Sequence, residues 1–243
     1  MGIIMSSKIY TAPNPTPIFH MLTIENFKNV LCYGGLLCRN LLVSSGIKCD
    51  DISYGNIQER RHQIYVNDPP GGTLHDYVPF YFAPRSPMLY TLMCGNVRSN
   101  FEQKNVIYLV TSAQKVAASG MEYVFYNAHA IMALATCFNT LSDLNKIDWK
   151  IFLEYPIYNN TGYNLVTLPI PAYCTQWSDI ADKPEYANRK SLRQAEFNVK
   201  NKVDINLFDC IVTHNIAKQK EVEDLLLKYG ISIPVFVVPS WYY

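Results

Sequence analysis

"GGTLHDYVPFYFAPRSPMLY", residues 71–90, decides how the rest of the chain is read. Pro79, Pro84 and Pro87 argue against an ordinary central strand, because each proline removes a ladder donor. Tyr77, Phe80, Tyr81 and Phe82 argue equally against an ordinary loop, which is built from turn residues rather than rings. The stretch is stiff, rich in rings and almost uncharged, so it asks for a role that neither element supplies.

The totals narrow that role. The chain has 243 residues, 49% hydrophobic and 17% charged, enough to bury a substantial core. Net charge is +1, so any affinity for nucleic acid must be local. Seven cysteines occur without a CxxC pair, which points to free thiols in a reducing cytoplasm rather than to disulfides or zinc. No signal-peptide pattern opens the sequence, and no run approaches the roughly 20 apolar residues that span a bilayer. The Asn159-Asn160-Thr161 sequon therefore lacks a secretory context.

Outward from the opening stretch, strands and helices mix without strict alternation, which favours α+β over a doubly wound sheet. Residues 18–22 read as a strand. Thr23 reads as the N-cap of a helix that stops at Gly34-Gly35. "NIQERRHQ" reads as a helical turn, and "NVIYLVTSAQKV" as a buried strand entering a helix. Residues 122–126 read as a strand, followed by a helix with apolar spacing at Ile131, Leu134, Ala135 and Phe138. "RQAEFNVK" reads as a strand with Gln194 and Glu196 on one face. "CIVTHN", "KQKEVEDLLLKYG" and "ISIPVFVV" read as strand, helix and strand. There is no GxGxxG and no P-loop, so a Rossmann site is unsupported.

Four features could carry chemistry. Glu196 stands among apolar neighbours, where a carboxylate is costly unless it is exposed or used; one use is to stabilise an oxocarbenium ion. The adjacent arginines of "QERR", residues 58–61, suit a pyrophosphate. His20, His75 and His129 have no HxxxH spacing, so no metal site is expected. From Lys183 to Lys202 six positive residues face two negative ones, and Arg189, Lys190 and Arg193 could follow a phosphate backbone.

Together, "PTPIFH", "IQERR", "PPGGTLHDYVPFYFAPRSPMLY", "RQAEF" and the terminal "WYY" resemble the DarT family of DNA ADP-ribosyltransferase toxins from DarT–DarG toxin–antitoxin systems. The resemblance implies a single ADP-ribosyltransferase domain over 1–243, a split pair of small β-sheets with flanking helices, and NAD+ as donor. It implies a base in single-stranded DNA as acceptor, thymine before guanine, a DarG-like antitoxin as partner, and a monomer. It places Glu196 and Arg61 in the catalytic pair. NAD+ contacts are implied for His20, Leu22, Asn40, Ile57, Arg61, Phe80, Met88 and His129. Acceptor contacts are implied for Tyr81, Arg85 and Met88, joining Arg189, Lys190 and Arg193 of the basic stretch. Residues 71–90 then read as a proline-stiffened cleft wall, entered through Gly71-Gly72, with its rings against nicotinamide.

Two departures bear on the acceptor. A Tyr-, Pro- and Asn-rich segment, about 150–191, extends the region where such transferases recognise it, and "YNAHA" replaces a more usual "TDGHA". An RNA- or protein-directed transferase, an NAD+ glycohydrolase and a non-enzymatic single-strand-binding module are the alternatives.

Overall fold

The apolar run Pro17–Thr23 forms strand β1, and Thr23 ends it by capping helix α1, Ile24–Cys32, accepting a hydrogen bond from the Asn26 amide at 3.2 Å. Described in the computed structural model are residues 9–53, 56–97, 99–158 and 168–243, so the sequon at 159–161 lies outside the described residues. The chain continues through β2 (Gly35–Leu37), α2 (Arg39–Ser44), α3 (Ile57–Gln63), β3 (Tyr77–Tyr81), α4 (Pro87–Met93), β4 (Val106–Ser112) and α5 (Ala113–Ala118). It then forms β5 (Tyr123–Tyr126), β6 (Cys137–Phe138), α6 (Trp149–Leu153), α7 (Arg189–Leu192), β7 (Glu196–Lys200) and β8 (Lys202–Asp204). The last elements are β9 (Cys210–Thr213), α8 (Ile216–Lys228) and β10 (Val235–Val237).

The α+β class holds, but the sheet arrangement corrects the expectation of two small sheets. Eight strands form one sheet in the order β10-β9-β4-β1-β3-β7-β5-β6, and β2 pairs with β8 in a separate ribbon. β1 is bonded to β4 along its whole length but to β3 only at Phe19↔Tyr81. That single pair keeps the halves joined while they diverge, and the divergence opens the cleft.

It also explains how Pro79 can sit in a central strand. Where β3 parts from β1 no partner strand needs the missing N–H. The Pro79 carbonyl instead accepts the His20 ring, Nδ1 to O 2.7 Å.

The alternation of β3 divides the opening stretch. Val78, Phe80 and the following Phe82 enter the main core with Phe125 and Phe197. Tyr77, Pro79 and Tyr81 face the cleft. The turn into this wall is glycine-dependent: Gly71 and Gly72 have φ +74° and +94°, and a Cβ on Gly72 would lie 2.6 Å from Asp76 Oδ2.

Two local expectations are corrected. Residues 127–136 form turns rather than a helix, with Met132 N–H bonded to His129 and Ala135 N–H to Met132. Their apolar spacing serves a small second core: Ala130 and Ile131 pack on Tyr77, Val124 and Tyr126, Leu134 stays 94% exposed, and Phe138 pairs with Phe125 at the sheet edge. Gln194 shares no strand face with Glu196, because β7 begins at Glu196 and the Gln194 amide closes a turn onto Ser191.

Candidate active site

The cleft has a volume of about 630 Å³. Glu196 lines it beside Tyr81, its register partner on β3, and Tyr126 of β5 is the other cross-strand partner of Glu196. Glu196 is 1% exposed. A carboxylate so deep must have partners, and three groups supply them. Arg61 is the one buried residue of α3; its Nη1 donates to Glu196 Oε2 at 2.8 Å and its Nη2 to Asn198 Oδ1 at 3.2 Å. The Ala130 amide approaches Oε1 at 3.4 Å. His129 Nδ1 lies 2.9 Å from Oε1, a short polar contact whose direction falls outside hydrogen-bond geometry.

These contacts set the charge state. Burial alone would raise the Glu196 pKa, but the Arg61 charge and the His129 contact outweigh it and hold the carboxyl at about 2. Tyr81 moves the other way: burial and the nearby Glu196 charge raise its phenol, which stays neutral. Burial pushes His20 down to about 4. Because a carbonyl only accepts, Nδ1 of neutral His20 carries the proton toward Pro79 and Nε2 is left as an acceptor. α3 is braced from below by His75, whose Nε2 lies 3.1 Å from Gln58 Oε1. Burial, then the Arg61 charge, lower the His75 pKa.

Of the residues expected from sequence, the cleft brings together His20, Leu22, Ile57, Arg61, Tyr81, Met88, His129, Lys190 and Glu196. Five others lie elsewhere. Phe80 is fully buried on the opposite face of β3. Asn40 donates its amide to Asp76 at 2.6 Å and so braces the turn before β3. Arg85, at the corner after β3, has φ +52° and its guanidinium 4.6 Å from the Tyr243 ring centre.

Arg189 and Arg193 are each 2% exposed. Arg189 donates to Glu154 at 2.5 Å and to the Ile151 carbonyl at 3.0 Å. Arg193 donates to the carbonyls of Ile151 and Pro84 at 3.3 and 3.4 Å. Arg189 holds the 150–191 segment together and Arg193 ties it to the corner after β3, so neither presents the phosphate-tracking surface that charge counting suggested. Asn198 went unnoticed in the sequence, although its place two residues after Glu196 puts it on the same strand face.

A charged carboxylate in a nucleotide-sized cleft, beside tyrosines and arginines, suits an enzyme of glycosyl transfer. The family model described as ssDNA thymidine ADP-ribosyltransferase, DarT, matches residues 19–243. A DNA ADP-ribosyl transferase of Thermus sp. (strain 2.9) is 36% identical over 235 residues, 96% of this chain and 99% of that protein. Thermus sp. 2.9 DarT in complex with ADP-ribosylated ssDNA superposes with TM-score 0.80 at 34% identity, covering 97% of this chain and 100% of that one. The same relative in complex with NAD+ gives TM-score 0.76 at 33% identity, covering 96% and 100%. The chain belongs to the DarT family. It is a DNA ADP-ribosyltransferase that uses NAD+ and modifies thymidine in single-stranded DNA. That resolves the acceptor in favour of thymine and sets aside the RNA- and protein-directed, glycohydrolase and non-enzymatic readings.

Proposed function

We propose that Glu196 carries the transfer and that Arg61 holds it in place. The observation behind this reading is the buried Arg61–Glu196 pair, 2.8 Å apart, on the floor of the cleft. When NAD+ occupies the cleft, Glu196 Oε1 accepts a hydrogen bond from the 2′-hydroxyl of the nicotinamide ribose. The bond from ribose C1′ to the nicotinamide nitrogen breaks, its electron pair leaves with nicotinamide, and positive charge builds on the ribose. A fixed carboxylate meets that charge without reorganising, an effect worth about 3–4 kcal/mol for one well-placed group. A ring nitrogen of thymine then bonds to C1′ as its N–H proton passes to Glu196, which releases it to solvent. A carboxyl held near pH 2 is a strong charge stabiliser and only a transient proton carrier.

Around this centre His20 offers Nε2 to a ribose hydroxyl, while Leu22, Ile57 and Met88 wall the donor. Arg61 has Nη1 and Nη2 directed at β7, so Arg39 and Arg60, which also line the cleft, are better placed for the pyrophosphate. Tyr81 faces the acceptor thymine, and Lys190 meets the DNA backbone. Residues 150–191 form the acceptor-recognition segment, anchored through Arg189 and delivering Lys190 to the cleft rim. Acting on DNA with NAD+ as donor, and carrying seven free cysteines, the protein works in the cytoplasm as a toxin opposed by a DarG-like antitoxin.

The test is single-turnover transfer from labelled NAD+ to a thymidine-containing oligonucleotide. Glu196→Gln keeps the shape and removes the charge; undiminished labelling by that variant would overturn the assignment.

A further inference from the structure

Arg61 reaches the catalytic carboxylate from outside the sheet, on a helix of seven residues. One hydrogen bond, Nη1 to Glu196 Oε2, would leave its guanidinium free to turn about that contact. A second bond fixes the plane, and the structure provides it: Nη2 to Asn198 Oδ1 at 3.2 Å. Glu196 and Asn198 are alternate residues of β7, so they share a face at a separation of roughly 6–7 Å. The guanidinium fork therefore straddles two successive teeth of one strand.

The Asn198 amide has an unambiguous orientation. A guanidinium only donates, so Oδ1 must face Arg61. That turns Nδ2 away, and Nδ2 is buried without a hydrogen-bond partner. Its cross-strand neighbours are Pro79 and Val124, and Asn198 itself is 0% exposed. An apolar residue would suit those surroundings better, since an unpaired buried donor is unfavourable. The asparagine is explained by what its oxygen does for Arg61.

We infer that Asn198 is a positioning residue, which locks the Arg61 guanidinium so that it grips Glu196 through Oε2 alone and stays off Oε1, the oxygen that the Ala130 amide and His129 border and that the catalytic reading gives to the substrate. It is neutral and so fixes Arg61 without competing for its charge, as an aspartate would. This rests on the reading of Glu196 as the group that meets the ribose. The charged or titratable groups facing Glu196 are Arg61 from α3, His129 from the turn after β5, Tyr81 from β3 and Tyr126 from β5. Burial raises both phenols, so neither ionises near neutral pH.

Two variants decide the matter. Asn198→Leu keeps the bulk and removes the acceptor; Asn198→Asp keeps the acceptor and adds a charge. The measurements are kcat and the KM for NAD+ in transfer to a thymidine oligonucleotide from pH 4 to 8, with thermal melts of each protein. Asn198→Leu is expected to melt at or above the parent temperature, to lose about 100-fold in kcat, and to hold the NAD+ KM within about threefold. Asn198→Asp is expected to bring into the pH 4 to 8 window an acid limb that the parent, with Glu196 held at about 2, does not owe to that group, because two carboxylates then share one guanidinium. A kcat for Asn198→Leu within about threefold of the parent would overturn the inference. If Asn198→Leu does not melt cooperatively, Asn198→Asp decides alone, and a kcat profile that matches the parent's over that window rejects it. Glu196→Gln run alongside separates the failures: activity retained there sinks the catalytic reading, whereas activity lost there with unaffected Asn198 variants sinks only this one.

Discussion

Glu196 is held ionised well below neutral pH, and that fixes several expectations. Its folded pKa, about 2, lies below the ordinary 4.5. The stability this provides is fully present above about pH 4.5 and disappears as the pH falls toward 2. An acid limb in activity above pH 4 therefore belongs to another group. Glu196→Gln should lower the labelling rate about 10²- to 10³-fold, the effect of losing one preorganised electrostatic group, while the variant still melts cooperatively. His20 behaves in the opposite sense to a salt-bridged histidine. Its folded pKa, about 4, lies below 6.5, so the unfolded chain takes up the proton first and stability falls as the pH drops from 6.5 toward 4. His75 and His214 are lowered too and add to the same trend. Melting temperatures recorded at pH 7 and pH 5 should show this decline. Replacing His20 by Asn, which can still donate to the Pro79 carbonyl but does not titrate, should make it shallower; an unchanged slope would show that His20 is not its source.

At the scale of elements, the segment before the catalytic strand depends on one buried ion pair. Arg189 on α7 joins Glu154, the residue after α6, across 35 positions of sequence. Removing one partner strands the other's charge, which costs about 3–5 kcal/mol. Arg189→Met should thus lower the melting temperature by roughly 10 °C in a chain of this size. Arg189→Met combined with Glu154→Leu should recover most of that loss. Below the melting transition, the KM for NAD+ should be unchanged, because neither residue lines the cleft; a fall in DNA affinity larger than that of Lys190→Ala would return Arg189 to the DNA surface. This pair also shows where sequence reading stops. β1, β4 and α8 were legible, since a seven-residue apolar run and a Gly-ended amphipathic pattern each have one structural meaning. Arg189 and Arg193 were misread because their partners, Glu154 and the carbonyls of Ile151 and Pro84, are distant in sequence. The apolar spacing at 131–138 fits a helix and a turn packed on a sheet equally well, and only the tertiary neighbours Tyr77 and Val124 select the turn. Glu196 stood out in the sequence because a carboxylate among apolar strand residues is costly unless it is exposed or used, and the structure buries it; Asn198 was within reach of the same alternation.

For the whole molecule, the question is how a chain of net charge +1 holds a polyanion. With Arg189 and Arg193 inside, the basic stretch presents far less charge to DNA than its composition suggests. Lys190 remains at the cleft, beside a floor of tyrosines. Binding of the acceptor strand should therefore lean on stacking and on the shape of the cleft, with few phosphate contacts. Each neutralised phosphate of a single strand contributes about −0.7 to the slope of log K against log salt concentration. Two or three contacts give a slope near −2, far shallower than that of a protein that tracks the backbone. Fluorescence anisotropy of a thymidine oligonucleotide, titrated with Glu196→Gln protein so that no transfer occurs, measures it directly. Lys190→Ala should weaken binding and reduce the slope by about 0.7, whereas Tyr81→Ala should weaken binding by about 1–3 kcal/mol with the slope intact. A parent slope steeper than about −4 would mean that backbone contacts, not the tyrosine-lined cleft, select the strand.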